Sequence, residues 1–160
     1  MTDKADPEAI DLNAMVARHF VEQAQHGLRA EALRPANKAA LFDALAAAGV
    51  TQVVVAFDGY GDSGQVEGID TLAGDRTVEL PAAAITICSP VWGTDEIRRN
   101  TMSVHAAIEQ FVYDLLAETH GGWENNDGAF GEFTFDVATR SISLDYNERF
   151  TSSEYYSHEF

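Results

Sequence analysis

The sequence predicts an α+β domain: an antiparallel sheet of four or more strands, built as two hairpins, packed by one long helix and completed by two amino-terminal helices. Three observations lead to this. Apolar residues recur at spacings of three and four over residues 104–116; two runs of period two flank Ala138-Thr139-Arg140; and a β-branched run, Gln52 to Phe57, opens an earlier hairpin. With 160 residues and no Gly/Ser-rich linker, the chain is expected to form a single domain over 1–160, helical over 1–50 and sheet plus long helix over 51–160.

Asp6-Pro7 suits the start of a first helix, with a capping oxygen followed by a ring whose fixed φ fits the first helical position. Leu12, Val16, Phe20, Ala24 and Leu28, with Val21 beside them, give that helix an apolar stripe that needs a partner. Arg34-Pro35 is expected to break it. Asn37 then caps a second helix bearing Leu41, Phe42 and Leu45, and Gly49 stops it. Gln52–Phe57 and Gln65–Ile69 read as the strands of a hairpin with a long tip, Thr77–Leu80 as a third strand, Ala82–Cys88 as apolar but ambiguous, and Pro90–Gly93 as loop. From Thr101 or Ser103 to His120, Val104, Ile108, Phe111, Val112, Leu115 and Leu116 fall on one helix face, and Gly121-Gly122 ends the helix. Phe130–Val137 and Ser141–Tyr146 form the second hairpin. In it Phe133, Phe135 and Val137 share one face and Thr134 and Asp136 the other, while Ile142 and Leu144 oppose Ser143 and Asp145.

Charge narrows the function. The formal net is −16, distributed as −2 over residues 1–50, −5 over 51–100 and −9 over 101–160. Such a chain repels nucleic acid and anionic lipid and favours cationic partners or divalent metals. The single Cys88 excludes an internal disulfide, and no apolar run approaches the roughly 20 residues that span a bilayer. A reducing, cytoplasmic setting without membrane contact is the expectation.

Two acidic, glycine-rich segments attract attention. In Asp58-Gly-Tyr-Gly-Asp-Ser-Gly64, Asp58 and Asp62 could converge on a cation; in Gly121-Gly-Trp-Glu-Asn-Asn-Asp-Gly128, Glu124 and Asp127 offer hard oxygen ligands. If the hairpins lie side by side, these loops meet and Asp58, Asp62, Glu124 and Asp127 form a site for Ca²⁺ or Mg²⁺. The competing reading is ordinary turn chemistry, with Trp123 covering one end of the core. Neither segment matches an EF-hand, a phosphate loop or a nucleophile elbow, and no His-x-x-x-His pair occurs. Glu132, Asp136, Asp145 and Glu148 form an acidic strand face lacking the interleaved cations that normally balance one. The tail carries Phe150, Tyr155, Tyr156 and Phe160, which are expected to dock on the chain's own domain or, with the acidic face, to enter a partner interface.

Gly61-Asp-Ser-Gly64, Tyr113-Asp-Leu-Leu116, Gly121-Gly-Trp-Glu-Asn-Asn-Asp-Gly128, Phe133-Thr-Phe-Asp136 and Asn147-Glu-Arg-Phe-Thr151 resemble segments of an uncharacterised family of small acidic proteins carried on proteobacterial plasmids and prophages. The resemblance covers about residues 51–160 and implies a mobile-element context, in which small acidic proteins often block host defence or modulate another protein. It transfers no catalytic residue. The expectation is a non-enzymatic, cofactor-free interaction protein that uses Trp123, Glu124, Asp127, Glu132, Asp136, Asp145, Glu148, Tyr155 and Tyr156 to dock on a basic protein, such as a nucleic-acid-binding defence nuclease. The alternative is a divalent-metal protein or hydrolase.

Overall fold

The structure, a computed structural model, describes residues 7–160, with side chains from residue 11 onward. The expected capping residue Asp6 lies outside the described residues. Helix α1 (Pro7–Ala47) is continuous, with Pro35 inside it, so the two predicted amino-terminal helices are one. An interior proline removes an N–H and crowds the carbonyl four residues back, a cost of about 3 kcal/mol. Contacts on both sides of Pro35 offset it. Asn37 is not a cap: its Nδ2 donates to the Cys88 carbonyl and its Oδ1 accepts from the Cys88 N–H, both at 2.8 Å. Beyond it, Leu41, Phe42 and Leu45 are fully buried. Gly49, at φ +75°, terminates the segment as expected.

Two compact units divide the chain. The first contains α1 up to Ala40 together with Thr86–Met102. Its two-stranded sheet pairs β4 (Ala84–Pro90) with β5 (Ile97–Ser103), the latter missed because Ile97-Arg-Arg-Asn-Thr-Met-Ser103 shows no apolar alternation. Trp92, in the connection between them, lies against His19 and His26, with ring centroids 5.6 and 5.2 Å away. The predicted α1 stripe stays largely in solvent: Leu12, Val16, Phe20, Val21 and Leu28 are 47–66% exposed.

The second unit comprises residues 41–85 and 103–160. Its sheet has the order β3-β2-β1-β6-β7, with β1 (Gln52–Tyr60), β2 (Ser63–Ala73), β3 (Arg76–Val78), β6 (Ala129–Asp136) and β7 (Ser141–Glu148), every pair antiparallel. The first hairpin has no long tip. Its strands run through the glycine-rich segment to a two-residue turn, Gly61-Asp62, in which both residues take positive φ, the geometry that matches strand twist. Helix α2 (Val104–Thr119) is capped by the Ser103 hydroxyl and ends at His120, as the spacing predicts.

Alternation decides what is buried. Val53, Val55 and Phe57 on β1 stand opposite Phe135, Phe133 and Gly131 on β6, and the buried valines and phenylalanines form the core with Val104, Ala107, Ile108, Phe111, Val112 and Leu116 of α2. The other face carries Val54, Ala56 and Asp58 on β1, Phe130, Glu132, Thr134 and Asp136 on β6, and Ser141, Ser143, Asp145 and Asn147 on β7. It is half-exposed at its centre and open over β7.

Candidate functional site

The two acidic segments meet through the backbone. Gly61 N–H donates to the Asn126 carbonyl at 3.2 Å and Asp62 N–H to the Glu124 carbonyl at 3.1 Å, so the first hairpin's tip is tied to the loop that follows α2. Trp123 fixes the junction from the core side. Gly59 and Gly64 are cross-strand partners, and the indole covers both: a Cβ on Gly59 would lie 2.6 Å from the indole Cζ3, and one on Gly64 2.2 Å from its Cη2. Glycine is therefore required by space at these positions rather than by φ. Trp123 is 9% exposed and meets Phe57 edge-on at 5.5 Å, so its principal contacts are core contacts.

On the opposite side of the same strand, Asp58 takes a charge-assisted bond of 2.7 Å from Arg149, whose guanidinium lies 4.5 Å from the Phe130 ring centroid. The sequence reading overlooked this arginine, although it is one of two cations after residue 100. Asp127 accepts from the Thr151 hydroxyl at 2.8 Å, fixing the start of the tail. Of the four carboxylates expected to share a cation, Asp58 and Asp127 thus have other partners, while Asp62 and Glu124 are joined through main chain. Among the described residues, no group of three or more His, Cys, Asp or Glu side chains is placed to hold a metal ion.

Beside this junction lies a cavity of about 140 Å³, lined by Trp123, Asn125, Asp127, Tyr146, Glu148 and Arg149 among others. Tyr146 stacks on His120 with ring centroids 3.6 Å apart and planes 4° from parallel. Burial, then the negative charges of Glu148 and Glu124, hold its hydroxyl above the ordinary tyrosine value of 10.

The remaining predicted site residues lie on the open face or beyond it. Glu132 and Asp145 are directly opposed across β6 and β7 and both are exposed. Like charges in this position destabilise a strand pair. Asp136 accepts from Thr139 N–H at 3.0 Å and closes the second turn, and Asp70 of β2 reaches the same face through its pairing with Val54. Of the cations, Arg149 sits here and is engaged by Asp58, while Arg140 in the turn pairs with Asp43 of α1. The tail does not dock on its own unit: Phe150, Tyr155 and Tyr156 are 84%, 90% and 71% exposed.

No curated protein and no solved structure matches the chain. The sequence does match the family of unknown function DUF6878 over residues 33–160, which takes in the end of α1, both halves of the glycine and tryptophan junction, the open face and the tail. That span starts earlier than the resemblance from residue 51 and takes in Leu41, Phe42 and Leu45, which are fully buried in the second unit. The chain belongs to this family of unknown function.

Proposed function

We propose that this protein is an acidic docking protein without catalysis of its own, which presents the open face of its five-stranded sheet to a basic surface of a partner. A nucleic-acid-binding partner, such as a host defence nuclease countered by a mobile element, has the matching chemistry, because a groove built for phosphates also attracts carboxylates at strand spacing. The observation that carries the reading is the direct opposition of Glu132 and Asp145 on an exposed strand pair. An arrangement that costs stability in the free protein becomes favourable when a partner supplies cations.

The test is a titration of ¹⁵N-labelled protein with a decamer of lysine, at low and at physiological salt. Shifts are expected to concentrate on β6 and β7, to weaken with salt, and to be lost in a variant combining Glu132→Gln, Asp136→Asn and Asp145→Asn. Shifts spread evenly over the acidic residues and unchanged in that variant would sink the proposal. A divalent-metal reading keeps one supporting observation, the main-chain bond that holds Asp62 beside Glu124. It is tested by melts in EDTA against Ca²⁺ and Mg²⁺: a rise of several degrees that vanishes in Asp62→Ala supports that reading.

A further inference from the structure

The two edges of the five-stranded sheet are treated differently. On the β2 side, the register with β1 slips between Ala56 and Phe57, so Glu67 bulges out; the short β3 pairs with Thr71–Ala73; and the Val66 N–H is taken by the Tyr113 hydroxyl at 3.0 Å. A bulge, an edge charge and a capped N–H are devices that stop another chain from pairing.

The β7 edge has no bulge, and its charges, Asp145 and Glu148, are both acidic. Its pairing with β6 is regular over all eight residues, Ser141–Glu148, which include no proline and no lysine, and among the described residues no strand pairs with its outer side. Arg149 N–H donates to the Gly128 carbonyl and Val137 N–H to the Thr51 carbonyl. These bonds set the alternation: odd-numbered β7 residues bond to β6, and Ile142, Leu144, Tyr146 and Glu148 direct N–H and C=O outward. The same Ile142, Leu144 and Tyr146 have side chains on the core face that are only half-buried. Hydrogen bonds and apolar surface are thus both left incomplete along one line. The charge beside that line is negative, from Asp145, Glu148, Glu132 and Glu124. A second copy of this chain, at net −16 and with the same acids on its own β7, is a poor occupant.

We infer that β7 accepts a sixth, antiparallel strand from the partner: an extended segment in which aliphatic residues, facing the core with Ile142, Leu144 and Tyr146, alternate with lysine or arginine on the acidic face. This rests on the acidic docking reading and specifies how the partner is held.

The probe is the peptide acetyl-Lys-Val-Lys-Val-Lys-Val-Lys-amide, compared with one form N-methylated at its valines and another N-methylated at its two inner lysines. In an antiparallel pair, residues on the core face opposite Ile142, Leu144 and Tyr146 exchange hydrogen bonds with them. Valine methylation therefore removes the bonding donors, and lysine methylation removes only donors on the far edge. The unmodified and lysine-methylated peptides are expected to slow amide exchange at Ile142, Leu144 and Tyr146, and the valine-methylated peptide to bind about tenfold or more weakly. Equal binding of all three, with shifts still on Glu132, Asp136 and Asp145, would overturn strand addition and leave acidic docking standing. Failure of every peptide to bind at physiological salt would remove both. Concentration-dependent protection of the three amides in the protein alone would assign the edge to a second copy and overturn the inference.

Discussion

Trp123 and the glycine pair beneath it form a junction that can be taken apart one atom at a time. Gly64→Ala introduces a methyl group into the indole's position and is expected to lower stability by about 1–3 kcal/mol, the usual cost of overpacking. In a Trp123→Ala background the same substitution should cost little, so a double-mutant cycle by urea unfolding is expected to give a large coupling term. Gly128→Ala is a harsher change. Gly128 has φ +77° and its Cβ would fall 1.7 Å from the Gly59 carbonyl oxygen, so backbone rather than side chain must move. Tyr146 adds a pH dependence. Because its folded pKa is raised above 10, the protonated form favours the folded state; this contribution is complete below pH 10 and is lost as pH rises through the raised value. Tyr146→Phe should flatten the alkaline loss of stability measured by denaturant titration. Glu148→Gln should move the tyrosinate absorbance titration downward by removing one of the two charges that raise it.

At the scale of elements, the strand face and the proline-bearing helix each make a prediction. Glu132→Lys converts the opposed pair with Asp145 into an attractive one and is expected to stabilise the protein by up to about 1 kcal/mol while weakening binding to the lysine decamer. Stability and binding moving in opposite directions identify a surface kept for its partner; a loss of both would mean that the face is structural. Pro35→Ala restores a helical N–H and should raise the melting temperature, whereas Asn37→Ala leaves the Cys88 N–H and carbonyl without their partner and should lower it, by about 1–3 kcal/mol in free energy. This pair also explains what the sequence conveyed. The spacing of Val104 to Leu116 and the alternation around Arg140 located α2 and the second hairpin to within a residue or two, because burial on one side imposes a period. Pro35 and Asn37 have local preferences for a break and a cap, and tertiary bonds to Cys88 override them. The glycine-rich segment was legible as a turn, but its length was not: positive φ at Asp62 lets the strands continue to a two-residue tip. At the candidate site, composition exposed the acids but not the Asp58–Arg149 pair, whose members are 91 residues apart and share no local pattern.

For the molecule as a whole, the net charge of −16 works against the compact state. Neutral salt is expected to raise the melting temperature, in proportion to screening at first and then to saturate, while the same salt weakens docking on a basic partner. The division of the chain offers a way to follow these responses separately. The sequence has two tryptophans, and each unit holds one: Trp92 in the first, 47% exposed against two histidine rings, and Trp123 in the second, 9% exposed over its glycine seat. Each unit thus carries its own fluorophore. In Trp92→Phe the remaining emission reports the second unit and should shift to the red on unfolding; in Trp123→Phe it reports the first. Two midpoints in denaturant would mean that the units melt independently, and a single shared midpoint that they unfold together.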